Sequence, residues 1–190
     1  MSSTAPEADT TGGSRYPDEL VCDLVTRDGL AVHVRPIRPG DAPRLVEFHE
    51  ALSSASVYFR FFTLHRHLSE KEVVRFTQVD YEDRLALVAE VEGTLVGVAR
   101  FDRLASGDEA EVAFVVADAF QHQGLGSLLL HELVRAAGPR GIRRFRAETL
   151  EGNVAMMTVF RESGFELETS VAQGVISVGF AIGPGDGPPC

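Results

Sequence analysis

The sequence predicts an α/β domain: a mixed central β-sheet flanked by about four helices. Two observations supply the strands. Runs of β-branched and apolar residues occur in pairs, one pair split at Asp28-Gly29 and another at Glu92-Gly93, which are hairpin signals. The third observation is "VVADAFQHQGLGSLLLHEL" (115–133), where an apolar run passes through two close glycines into a leucine-rich helix.

Residues 1–18 are small, polar and Gly/Pro-containing, with nothing to bury, and read as a disordered N-terminal tail; 183–190 ("GPGDGPPC") reads as a flexible C-terminal one. The domain is expected over 19–182, without internal repeats. After the first hairpin, "RPGDAPRLVEFHEALS" reads as a helix. Asp41 stands at its cap, Pro43 in its first turn, and Leu45, Phe48 and Leu52 on one face. Ser69 and Glu72 have capping-box spacing, so a second helix starts at "SEKEVVRFTQ". "LALVAEV", "TLVGVARF" and "EAEVAFVV" are three strands. The leucine-rich helix follows over about 124–137, with Leu125, Leu129, Leu133 and Ala136 as its buried stripe. In "IRRFRAETL", Phe145, Ala147 and Thr149 alternate with Arg144, Arg146 and Glu148, a half-buried strand. A last helix, "NVAMMTVFRESG", leads into a closing hairpin.

Composition narrows the function. The 190 residues carry a formal net charge of −10. That argues against nucleic acid as a partner, because nonspecific affinity there comes from basic surface. No run approaches the roughly 18 apolar residues of a membrane span, and the N-terminus lacks a signal peptide's order. Cys22 and Cys190 are too few and too distant in sequence to suggest a disulfide framework or a Cys-based metal site. A cytoplasmic protein without metal is expected.

"QHQGLG" admits three phosphate-binding readings. A dinucleotide fingerprint would use Gly124 and Gly126, and Glu148 falls about where its ribose-binding acid belongs, but the third glycine is replaced by Leu129. A P-loop needs Gly-Lys-Ser/Thr, and Gly126 is followed by Ser127 and Leu128. The third reading is an anion cradle of backbone N–H groups from Gln123 to Ser127 at the positive end of a helix. A plain tight turn is the alternative.

The neighbouring residues favour the cradle. "QHQGLG" resembles the Q/R-x-x-G-x-G/A pyrophosphate motif of the GCN5-related N-acetyltransferase (GNAT) family, with Gln121, Gly124 and Gly126 at its defining places. "AEVAFVV" is similar to that family's preceding strand, and "NVAMMTVFRESGF" to its later motif from Asn153 to Gly164-Phe165. The resemblance covers roughly 20–182 and implies acetyl-CoA as acyl-donor cosubstrate. It implies that the backbone of Val115 and Val116 pairs with the pantetheine arm. It also implies that the turn of Gln121, His122, Gln123, Gly124, Leu125, Gly126 and Ser127 holds the pyrophosphate, and that Asn153 contacts the cofactor near its thioester. Asn153 is equally readable as a helix N-cap.

Acetyl transfer to an amine requires an unprotonated nucleophile, and a lysine of pKa about 10.4 is only about 0.1% neutral at pH 7.4. Glu111, in "EVAF", aligns where several protein-lysine acetyltransferases place their general base, and burial beside the cofactor is expected for it. Glu109, two residues earlier on the same face, is the fallback. Where many members carry a tyrosine that protonates the leaving thiolate, this chain has Phe160.

"VHVRPIRPGDAPRLVEFHEALSSASVYFRFF" resembles the start of the acetyltransferase domain in bacterial Pat-type protein-lysine acetyltransferases. The implied acceptor is a protein lysine, such as that of an acyl-CoA synthetase. A small-molecule amine, or a non-catalytic acyl-CoA-binding module, are the alternatives, and a homodimer is left open. Tyr58, Arg60 and Phe61 either line the acceptor cleft or pack. His65 and His67 have metal-ligand spacing but no completing ligand nearby. Arg135, Arg140, Arg143, Arg144, Arg146 and Arg161 form a basic segment, read mainly as a solvated face with ion pairs.

Overall fold

The computed structural model describes residues 15–63 and 67–183. Most of both expected tails, His65 and Cys190 lie outside the described residues. Tyr16, placed in the N-terminal tail by its sequence neighbours, is packed. Its hydroxyl donates to the Pro36 carbonyl at 3.0 Å, and its ring meets Tyr81 edge-on at 5.6 Å.

Eight strands form one sheet in the order β1-β2-β3-β4-β5-β6-β8-β7. They are β1 (Cys22–Val25), β2 (Ala31–Pro36), β3 (Arg84–Val91), β4 (Thr94–Arg103), β5 (Glu109–Val116), β6 (Arg144–Leu150), β7 (Glu168–Ala172) and β8 (Val175–Ala181). Only β5 and β6 are parallel, joined by a helical crossover; the other neighbours are antiparallel. The β3–β4 and β7–β8 turns are two residues long. Each puts both residues at positive φ, Glu92-Gly93 (49° and 77°) and Gln173-Gly174 (53° and 79°), the geometry that matches strand twist.

The described residues form five α-helices where about four helices were expected: α1 (Ala42–Glu50), α2 (Ser54–Phe61), α3 (Glu70–Thr77), α4 (Leu125–Ala137) and α5 (Val154–Arg161). The additional one is α2. Its N-cap Ser53 accepts from the Ser56 N–H at 3.2 Å. Leu45, Phe48 and Leu52 with Val57 of α2 pack on Ala86 and Val88, covering one face of the sheet. Leu125, Leu129 and Leu133 of α4, with Met157 and Phe160 of α5, cover the other against Leu85, Leu87 and Phe114. Burying each such leucine contributes about 2 kcal/mol.

The Ser69–Glu72 capping box forms in both directions. Asp41 does not cap α1. Its carboxylate instead takes the Arg35 guanidinium at 2.6 and 2.7 Å and the Arg38 N–H at 2.7 Å. Arg35 also binds Glu90 on β3, so a buried ion network replaces the expected cap.

Candidate active site

The parallel register of β5 and β6 ends at Glu111 opposite Arg146, although β5 runs on to Val116 and β6 to Leu150. Past that point the strands diverge, and a cleft of about 670 Å³ lies there, a volume typical of small-ligand sites.

One wall is the free edge of β5. The Ala117 N–H donates to Val96 at 2.8 Å, and alternation along an antiparallel ladder gives the Val115 main chain to β4 as well. The main-chain groups of Phe114 and Val116 therefore face the cleft. Gln121 shows the direction, its Nε2 donating to the Val116 carbonyl at 3.0 Å. This departs from the sequence reading, in which Val115 shares the backbone role; Val115 contributes lining only.

The far end is the "QHQGLG" turn. His122 (φ 61°) and Gly124 (φ 78°) adopt left-handed backbone, and α4 begins at once. The first N–H groups of any helix lack intrahelical acceptors, and no side chain caps this one. With the positive helix end, they make a main-chain anion site. A Cβ on Gly126 would stand 3.0 Å from the Val159 side chain, so a larger residue there presses α4 and α5 apart. Gln121, His122, Gly124, Gly126 and Ser127 line the cleft. Gln123 and Leu125 do not: the Gln123 amide donates to Ala119 at 2.9 Å, and Leu125 is core. Asn153 caps α5, its Oδ1 accepting from the Met156 N–H at 3.1 Å, and it also lines the cleft.

The third wall is α2. Asp118 accepts from the Ser53 hydroxyl (2.6 Å) and N–H (2.9 Å) and from the Ser56 hydroxyl (2.8 Å). Partial burial pushes the Asp118 pKa up, but these hydrogen bonds outweigh it and hold it below the usual range. Gln121 Nε2 also donates to Ser56 at 3.0 Å, tying α2 to the turn. Ser56, Phe59 and Arg60 of α2 line the cleft. Tyr58 is exposed, and Phe61 packs under α1.

Glu111 is exposed, so the expected burial is not supplied by the protein alone. It shares a small cavity beside the divergence point with Arg60, Phe62 and Phe114. Glu109 is engaged elsewhere, by Arg146 at 2.8 Å and Arg144 at 3.8 Å. Phe160 is fully buried between Phe114 and Phe180, with centroids 5.8 and 6.0 Å away. Four arginines of the basic segment are engaged within the fold: Arg135 pairs with Glu132 at 2.7 Å, Arg140 donates to the Ala136 carbonyl at 2.7 Å, and Arg144 and Arg146 pair with Glu109. None of its six arginines lines the cleft; Arg27 and Arg60 supply its positive charge. Arg27, unread in the sequence, reaches over Gly124 from the β1–β2 turn and pairs with Glu162 at 2.8 Å. Among the described residues no group of three or more His, Cys, Asp or Glu could hold a metal, and no helix is long and apolar enough to cross a membrane.

A parallel strand pair that splays open onto an uncapped helix start offers amide-bearing edge and anion site in one groove, which suits an extended pantetheine arm and its pyrophosphate. That is the architecture of an acyl-CoA-dependent transferase. The chain belongs to the acetyltransferase (GNAT) family, whose model matches residues 48–165, and family members use acetyl-CoA. It is 34% identical to acetyltransferase Pat of Mycolicibacterium smegmatis over 142 residues, 73% of this chain and 42% of that protein. An acetyltransferase of Pseudomonas aeruginosa is 31% identical over 142 residues, covering 73% of this chain and 76% of the relative. The crystal structure of the GNAT domain of S. lividans PAT superposes with a TM-score of 0.83 at 43% identity, covering 88% of this chain and 99% of that one. The chain thus spans less than half the length of the Mycolicibacterium relative.

Proposed function

We propose that the protein transfers the acetyl group of acetyl-CoA directly to a primary amine within a ternary complex, and that the amine is a protein lysine such as that of an acyl-CoA synthetase. One observation carries the reading: the β5–β6 gap runs from a helix start without a side-chain cap to a carboxylate, Glu111, that has no ion pair among the described residues. The similarity to Pat-type proteins supports the lysine acceptor.

Bound acetyl-CoA supplies an activated thioester. The Phe114 and Val116 N–H groups, facing the cleft, are donors for its arm and for the oxygen on which charge develops. Glu111 takes the acceptor's proton, directly or through one water, because an ammonium has no lone pair with which to attack. Phe160 offers no proton to the departing thiolate. With a thiol pKa of about 8.5, that thiolate is a tolerable leaving group, and water or the amine proton suffices.

The test is incubation of the full chain with acetyl-CoA and a purified acyl-CoA synthetase, read by mass spectrometry. Acetylation of the synthetase's active-site lysine, lost when that lysine is changed to arginine, is the expected result. Transfer only to free small amines would move the acceptor class, and acetyl-CoA binding with no transfer would leave a binding module.

A further inference from the structure

Arg60 and Glu111 are charged side chains at one end of the site that make no hydrogen bond or ion pair among the described residues, and of the two Arg60 is the cation. It stands where the main cleft, the Glu111 cavity and an apolar cavity beneath α1 meet. One smaller cavity holds Glu111 and neither includes a residue of the 121–127 turn, so Arg60 joins the main cleft to its Glu111 side. Among the described residues it makes no hydrogen bond or ion pair, and its Cζ lies over the Phe61 ring, 5.0 Å from the centroid.

Three charges act on it: Arg100 repels, while Glu111 and Asp102 attract. Asp102 is already shared by Arg84 at 3.1 Å, Arg100 at 3.6 Å and Arg75 at 3.7 Å. Burial, and then Arg100, push the Arg60 pKa down to about 9. A guanidinium presents five donors in a planar fork that matches a carboxylate. Here the fork is under-compensated and lies within the same cavity as the carboxylate assigned to the amine.

We infer that Arg60 receives a carboxylate held close to the acceptor amine, so that the preferred acceptor is two-headed, its amine at Glu111 and its carboxylate at Arg60. This rests on the acetyl-transfer reading above. The carboxylate has two sources, an Asp or Glu beside an acceptor lysine in a polypeptide, or the α-carboxylate of a free amino acid.

Two matched acceptor pairs test it at saturating acetyl-CoA, with kcat/KM read from CoA release. One pair is a peptide with lysine between two glutamates against the same peptide with two glutamines. The other is L-lysine against 1,5-diaminopentane, the same molecule without its carboxylate. The inference expects the carboxylate member of at least one pair to be preferred about 10-fold or more, mainly through KM. That preference falls to about 1- to 2-fold in R60Q and is partly kept in R60K, and the pair that shows it identifies the source. Equal rates within both wild-type pairs, or a preference that survives in R60Q, overturn it; the wild-type comparison decides even if R60Q does not fold. If neither these four acceptors nor the synthetase is acetylated while acetyl-CoA binds, the transfer reading itself fails, and the inference with it.

Discussion

Glu111 on β5 and Arg146 on β6 are the last residues the two parallel strands hold opposite each other, yet Arg146 turns its guanidinium to Glu109 at 2.8 Å. The strand pair is thereby locked at its start by Glu109, and among the described residues the Glu111 carboxylate has no ion pair where the strands part.

The two glutamates should therefore separate by mutation. Glu109→Gln removes an ion pair that is largely structural and is expected to lower thermal stability by about 1 kcal/mol, with acetyl transfer within a few-fold of wild type. Thermal melts alongside CoA-release assays check this; a larger loss of transfer than in Glu111→Gln would exchange the two roles.

Gly126→Val places a branched side chain where a Cβ alone already approaches Val159 at 3.0 Å. The start of α4 has to shift, carrying its free N–H groups with it. Calorimetric titration is expected to show acetyl-CoA affinity falling by about 10-fold or more, as two or more charge-assisted hydrogen bonds lose alignment.

Asp118→Ala unties Ser53 and Ser56 from the β5 end and leaves the start of α2 without its carboxylate. A loss of about 1–2 kcal/mol of stability is expected, together with a higher KM for acetyl-CoA, because Gln121 shares Ser56. Unchanged KM with lowered stability would confine Asp118 to a structural role.

The Arg35–Asp41–Glu90 network sets the acid limit of the fold. Burial works to raise the Asp41 and Glu90 pKa values, but hydrogen bonds and charges from Arg35 and Arg44, with the Arg38 N–H on Asp41, keep both below their usual values of 3.8 and 4.5. Carboxylates depressed in this way stabilise the folded state fully above their unfolded values, and that stability is lost as pH falls through the folded ones. Denaturant melts should show stability nearly level from pH 7 to about 5 and dropping below about 4.5. Asp41→Asn is expected to cost about 3 kcal/mol at pH 7 and less at pH 3.

Sequence patterns carry the sheet well, because hairpin turns and alternation are local. Thr149 and Ala147 face the core and Arg146 does not, as period two requires. The helix α2 is hidden in "SSASVYFRFF": its serines resemble a loop, and only the cap at Ser53 marks a start. Asp41 looks like a cap by spacing, but a buried arginine on a neighbouring strand offers its carboxylate more than α1 does.

The site was legible in proportion to how local it is. The Gln121–Ser127 turn is one stretch of chain, and its glycines declare themselves. Which edge of β5 is free depends on its register with β4, which no single strand encodes; that is why the main-chain groups of Phe114 rather than those of Val115 turn to the cleft. Arg27 and Arg60 arrive from elements 64 residues or more away from Gly124, and that Arg60 has no ion pair among the described residues is a property of assembled neighbours.

The central claim is that Glu111 accepts the acceptor's proton at the open end of the β5–β6 gap. Paired measurement of acetyl-CoA affinity and amine-dependent CoA release in Glu111→Gln tests it most directly. An affinity within about 2-fold of wild type is expected, with a release rate lower by about 10²- to 10⁴-fold, the usual worth of a general base. Wild-type release from a variant that still binds acetyl-CoA would contradict it.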